Sequence, residues 1–214
     1  MKLTKTYKYI IFDFDSTLND TSPGIYATFT AVLNSFGADA SKTDLSRHIG
    51  PPLEDSYTEL LGADRCAAAV ELHKQIFAQT HAAENSRLYD GITDVLAALQ
   101  AHGYVLSIAS SKYEPHAIES LRYHKLTDYF QFVYGQTDKR GFKRDVLAQL
   151  IGDHGWNKDE CLLIGDTVHD ALGAEYCNID FVAVTYGFGK EDELKKFHPI
   201  STVSSPKQIL ELLI

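Results

Sequence analysis

From Leu88 to Leu213 short apolar runs alternate with stretches of helical periodicity, and this alternation restricts the fold more than any other feature. The runs are Tyr104–Ala109 (YVLSIA), Phe130–Tyr134 (FQFVY), Cys161–Ile164 (CLLI) and Phe181–Val184 (FVAV). They are β-branched or aromatic and short, as buried strands are. Between them Ile92, Val95, Leu96 and Leu99 fit a helix stopped at Gly103, and His116–Tyr123, Arg144–Gly152, Val168–Tyr176 and Pro206–Leu213 read as helices. Tyr7–Phe12 (YKYIIF) supplies one more strand at the start. Strands separated by helices imply an α/β fold, a Rossmann-like parallel sheet with helices on both faces.

The stretch between the first strand and Leu88 breaks this rhythm. Ser22-Pro23 is a helix start, Ile25, Phe29, Val32, Leu33 and Phe36 form one apolar stripe, and Gly37 is a stop. A second helix follows Pro51-Pro52 and ends near Gly62; a third covers about Asp64–Ala83. No strand pattern interrupts them. The reading is therefore a core of residues 1–18 and 87–214 with a small all-helical insertion of residues 19–86.

Polar residues gather where the strands end. The first strand runs into Asp13-Phe14-Asp15-Ser16-Thr17, the YVLSIA strand into Ser110-Ser111-Lys112, and the CLLI strand into Gly165-Asp166-Thr167-Val168-His169-Asp170; Lys143 opens the helix before CLLI. In open α/β sheets ligands bind at the carboxyl ends of the strands. Asp13 and Asp15, two apart on extended chain, can face one cavity. Taken singly, each acid has a plainer reading as a turn or helix cap, and Lys143 as a solvated lysine. Their joint order along one sheet edge does not reduce to caps.

Gathered carboxylates raise each other's pKa. A hard divalent cation relieves that repulsion, and oxygen ligands beside phosphate suit Mg²⁺. The chemistry that needs two acids is covalent phosphoryl transfer: one Asp attacks phosphorus, and the other protonates the leaving oxygen and later deprotonates water. Lys143, Ser110 and backbone N–H groups near Thr17 would hold the phosphoryl oxygens.

This set resembles the haloacid dehalogenase-like superfamily. Asp13-Phe14-Asp15-Ser16-Thr17-Leu18 is similar to its first motif, Ser110 to the second, Lys143 to the third, and Gly165-Asp166-Thr167-Val168-His169-Asp170 to the fourth. Gly187-Phe188-Gly189 after the last strand is similar to the phosphoglycolate phosphatase-like branch. The resemblance covers essentially the whole chain. It implies Asp13 as nucleophile and Asp15 as acid/base. Mg²⁺ would be held by Asp13, Asp166 and the Asp15 carbonyl, with Asp170 behind them and tied to Lys143 or the metal's waters. Thr17, Ser110, Ser111 and Lys143 would bind phosphate, and the insertion would be a helical cap that excludes water and selects substrate. Ser16 stands where glycine is commoner, at a position where a side chain is less free to adopt positive φ.

Two departures narrow the activity. The second acid, Asp15, is present, unlike in the dehalogenases and phosphonatases of the superfamily. Leu53, in Gly50-Pro51-Pro52-Leu53-Glu54-Asp55-Ser56, stands where sugar phosphomutases carry an Arg for a second phosphate. Hydrolysis of a small monophosphate is expected, of phosphoglycolate or alternatively a nucleoside 5′-monophosphate. A phospho-receiver module or a catalytically silent binding protein are the competing classes.

The totals agree. With 29 acidic against 20 basic residues, a net charge of −9 argues against a nucleic-acid partner. No apolar stretch approaches the ~20 residues of a membrane helix, and the apolar run near the start is too short for a signal peptide. Three cysteines without CxxC spacing read as reduced thiols of a cytoplasmic protein. Nothing requires more than a monomer or weak dimer. Nine histidines form no HExxH, and His169 reads as a loop residue near the site. Arg47-His48-Ile49-Gly50 is an equal choice between a solvated turn and a substrate contact.

Overall fold

The computed structural model describes residues 3–49, 52–79 and 85–214. It divides into two compact units, residues 1–20 with 88–214 and residues 21–87. Gly50, Pro51, His81 and the expected end of the third helix at Ala83 lie outside the described residues.

The larger unit is built on a six-stranded sheet. In chain order its strands are β1 (Tyr9–Phe12), β4 (Val105–Tyr113), β5 (Phe132–Gln136), β6 (Cys161–Gly165), β7 (Asp180–Val184) and β8 (Ser201–Val203). Two further strands, β2 (Asn19–Asp20) and β3 (Arg87–Leu88), pair as a separate ribbon. The sheet order is β5-β4-β1-β6-β7-β8, and every pairing is parallel. β1 lies at the switch point, with β4 on one side and β6 on the other.

Alternation along the strands makes two apolar layers. Ile10 and Phe12 join one, with Leu162, Ile164 and residues of α4 (Ile92–Ala101), α5 (Glu114–Tyr123) and α9 (Pro206–Leu213). Ile11 joins the other, with Cys161, Leu163 and residues of α6 (Lys143–Asp153) and α7 (Val168–Cys177). Successive side chains pass to opposite faces of a strand, so a strand covered on both faces must be apolar throughout. That is why YIIF and CLLI carry no polar residue before their ends.

The sequence reading differs from the structure mainly at boundaries. β4 does not end at Ala109 but continues through Ser110 to Tyr113, with an irregularity in its pairing to β5 between Ala109 and Tyr113. Gly135 of β5 permits this, because a Cβ there would lie 2.6 Å from the Lys112 carbonyl oxygen. The FQFVY strand begins two positions later, at Phe132, after a 3₁₀ turn over Thr127–Tyr129. The three-residue edge strand β8 and the short helix α8 (Glu191–Leu194) had no sequence signal.

The smaller unit is helical: α1 (Ser22–Ser35), α2 (Leu53–Leu61) and α3 (Ala63–Gln79), with 3₁₀ turns over Ala40–Lys42 and Leu45–His48. Phe29, Val32, Leu33, Tyr57, Ala69 and Val70 form its core. His48, weighed above as a substrate contact, is buried in this unit and packs 6.0 Å from the Phe29 ring. His73 is also buried and pairs with the Tyr57 hydroxyl at 2.8 Å. No helix among the described residues is long and apolar enough to cross a membrane.

Candidate active site

The carboxyl ends of β1, β4 and β6 and the first residue of α6 bring the expected polar residues together. Asp13 extends the ladder past β1, its N–H donating to the Ile164 carbonyl at 2.9 Å. Its carboxylate accepts from Lys143 Nζ at 2.6 Å. The same ammonium donates to the Ala109 carbonyl at 2.6 Å and pairs with Asp170 Oδ1 at 2.8 Å. Lys143 therefore ties three elements to one charge. Asp13, Lys143, Asp166 and Asp170 are all buried.

Asp170 does two things. Its Oδ2 accepts from the Thr167 N–H at 2.9 Å, while the Thr167 hydroxyl faces the Asp170 N–H at 3.3 Å, a reciprocal cap on α7. Its Oδ1 faces Lys143. Asp166 accepts from the Thr17 hydroxyl at 3.2 Å and from the Phe188 N–H at 2.9 Å. The Thr17 carbonyl in turn accepts from the Tyr186 hydroxyl at 2.8 Å. Gly187 and Gly189 are needed here: a Cβ on Gly187 would sit 2.5 Å from Asp166 Oδ2, and one on Gly189 would overlap the Asp166 carbonyl oxygen.

Burial sets the electrostatics. It pushes the Asp13 carboxyl well above the usual range, with Asp170 adding to the rise and Lys143 opposing it. Asp166 is pushed up to about 7 by burial and then by Asp170, against the pull of the Phe188 and Thr17 donors. Burial alone would lower Lys143, but Asp13 and Asp170 together outweigh it and raise its pKa.

Asp15 leaves this group. Its carboxylate accepts from Lys112 Nζ at 2.7 Å. Ser110 is buried and its oxygen accepts the Lys112 N–H at 3.1 Å. That leaves the Ser110 hydroxyl proton for another acceptor. Ser111, by contrast, is exposed. Ser16 holds φ 65°, the left-handed region that its position in the motif suggested. His169 lies in the first turn of α7 rather than in a loop, and is exposed.

A family model for haloacid dehalogenase-like hydrolases matches residues 10–184. The chain belongs to that family. Among its relatives, a 5′-nucleotidase of Pseudomonas aeruginosa is 35% identical over 215 residues, 96% of each chain. Tyrosine-protein kinase PtkA of Mycobacterium tuberculosis is 35% identical over 190 residues, which is 87% of this chain and 65% of the kinase. A haloacid dehalogenase-like hydrolase from Streptococcus pneumoniae superposes with a TM-score of 0.91 at 29% identity, over 96% of this chain and 97% of its own. Phosphoglycolate phosphatases match at 24% identity. The chain is a phosphoric monoester hydrolase of the haloacid dehalogenase-like kind.

The residues fit a hard divalent cation. Ligand oxygens of Asp13, Asp166 and Asp170 lie within 4.8 Å of one another, all buried. Three carboxylates against the single ammonium of Lys143 leave the ionised cluster two charges negative, which a divalent ion would balance. Four features of the site had escaped the sequence reading: Lys112 on Asp15, Tyr186 on Thr17, the Phe188 N–H on Asp166, and the close approach of Gly187 and Gly189. Lys112 left a signal, since it stands two residues from Ser110 on extended chain, and Gly187-Phe188-Gly189 left one as a motif without showing what it packs against.

Proposed function

We propose that the protein hydrolyses a small phosphate monoester through a phosphoryl group carried on Asp13, with Mg²⁺ as cofactor. The observation that carries this reading is the buried Lys143–Asp13 contact of 2.6 Å inside the group that also holds Asp166 and Asp170. Asp13 attacks phosphorus, and Asp15 protonates the departing oxygen and then takes a proton from the attacking water. Lys143, the Ser110 hydroxyl and backbone N–H groups near Thr17 face the charge that develops on the phosphoryl oxygens. Asp13, Asp166 and the Asp15 carbonyl would hold Mg²⁺, which would supply further positive charge there, while Asp170 fixes Lys143.

The helical unit, residues 19–86 by the sequence boundaries, acts in this reading as a cap that selects substrate. A nucleoside 5′-monophosphate is favoured over phosphoglycolate, because 35% identity to the 5′-nucleotidase spans 96% of both chains. The enzyme works in the cytoplasm as a monomer or weak dimer and needs neither nucleic acid nor membrane.

Turnover of p-nitrophenyl phosphate with and without Mg²⁺, in the native protein and in Asp13→Asn, tests the chemistry. Metal-dependent turnover that vanishes in the variant is expected. Turnover that survives in Asp13→Asn would overturn the covalent step. A panel of nucleoside monophosphates and phosphoglycolate then ranks substrates by kcat/KM.

A further inference from the structure

The extension of β4 past Ala109 brings a second lysine to the acid pair. Lys143 sits on Asp13 and Lys112 on Asp15, each through one carboxylate oxygen at 2.6 and 2.7 Å. The Lys112 side chain is only 11% exposed and its ammonium lies 5.5 Å from the centre of the Phe14 ring, between the two acids in sequence. Its backbone is pinned as well. Its N–H donates to Ser110 Oγ, and its carbonyl packs where only a glycine, Gly135, allows it. The next turn is locked by Glu114, whose Oε2 accepts from the Gly135 N–H at 3.0 Å and from Arg140 Nη2 at 2.5 Å. Arg140 is itself buried and lies 5.0 Å from the Tyr134 ring centre. An ordinary surface ion pair has none of this support.

We propose that Lys112 is a positioning residue for Asp15: it holds Oδ1 so that Oδ2 is the oxygen that hands over and recovers the proton. The proposal rests on the reading of Asp13 and Asp15 given above. In the first half-reaction an Asp13 oxygen bonds to phosphorus, the ester P–O bond breaks, and the Asp15 proton goes to the departing oxygen. In the second a water oxygen bonds to phosphorus and the Asp13–phosphorus bond breaks. The water's proton returns to Asp15 and phosphate leaves. A carboxyl group free to rotate would present the proton poorly. The cost falls on esters whose leaving oxygen needs it.

The test compares kcat/KM for two esters, since kcat/KM reports only the steps through release of the first product. One is a nucleoside 5′-monophosphate with an alkoxide leaving group. The other is p-nitrophenyl phosphate, whose phenolate departs without a proton. In Lys112→Met the alkyl ester is expected to lose about 10²-fold, the low end of general-acid effects, and the aryl ester less than about threefold. Lys112→Arg should recover most of the alkyl activity. An equal loss on both esters would overturn the assignment, because a role in folding or in phosphate binding lowers both alike. Asp13→Asn separates the two levels of the argument. If it is inert while Lys112→Met loses both esters equally, only the role of Lys112 falls. If it turns over either ester, the covalent reading falls and the role of Lys112 with it.

Discussion

Replacing Asp166 with Asn should make the metal-free protein more stable at pH 8 than at pH 5, relative to the native protein. Asp166 is fully buried, and its carboxyl is pushed up to about 7. In an unfolded chain an aspartate titrates near about 3.9. Between those values the native state keeps a proton that the unfolded chain releases, so this group lowers stability as pH rises. Each unit is worth about 1.4 kcal/mol. From pH 5 upward the loss therefore reaches about 3 kcal/mol and is complete once the pH passes about 7. Asn does not titrate and is nearly the same shape. The difference between variant and native protein should thus grow by about 1–3 kcal/mol from pH 5 to pH 8, the lower figure allowing for charge shared with Asp13 and Asp170.

Other groups do not reverse this sign. His73, which burial lowers to about 4, gains stability for the fold as pH rises, but equally in both proteins. Asp13 owes part of its raised pKa to Asp166, so its own penalty shrinks in the variant and adds to the trend. The assay is urea unfolding in EDTA at several pH values, followed by fluorescence of Trp156, the only tryptophan, which stacks on Tyr9 at 4.3 Å in the larger unit. Saturating Mg²⁺ should then stabilise the native protein and leave the variant nearly unmoved. A constant difference across the pH range, or one that shrinks, would refute the claim that Asp166 is strained as a buried acid awaiting a cation.

Ser16→Gly should raise the melting temperature slightly, by up to about 1 kcal/mol of stability: relief at φ 65° exceeds the extra chain entropy. A lower melting temperature would show that the buried Ser16 side chain matters more than its backbone. Gly189→Ala should cost about 10²-fold in kcat by displacing Asp166, whose carbonyl its Cβ would overlap. Gly152→Ala, in α6 with nothing within 4 Å of the new methyl, should keep activity and gain up to about 1 kcal/mol in a urea titration.

What was legible follows from how a parallel sheet works. Runs such as YIIF and CLLI declare themselves because both faces of the strand are covered, and a local pattern is enough to show it. The tips of parallel strands share one edge, so the residue types at the tips also carry information. Asp13, Ser110, Asp166 and Asp170 stand out by that rule, and Lys143 by its place at the helix start before CLLI. Ser201–Val203 was missed because a three-residue edge strand buries too little to need an apolar pattern. The end of β4 was missed because Ser110-Ser111-Lys112 is polar and is held by Gly135 and by the Glu114–Arg140 pair, contacts that no local pattern encodes.

The pairings across the edge were harder still. Lys112 and Asp15 are 97 residues apart, and Tyr186 and Thr17 are 169 apart. Which atoms meet depends on register and on the length of each overrun, not on residue type. A one-residue slip of β4 would turn Lys112 to the face opposite Asp15, since successive side chains alternate. The place of Asp13, the proposed nucleophile, can therefore be read from a strand end. The group that aims its partner acid is fixed only by how far the neighbouring strand runs on, and in this chain a glycine on β5 decides that.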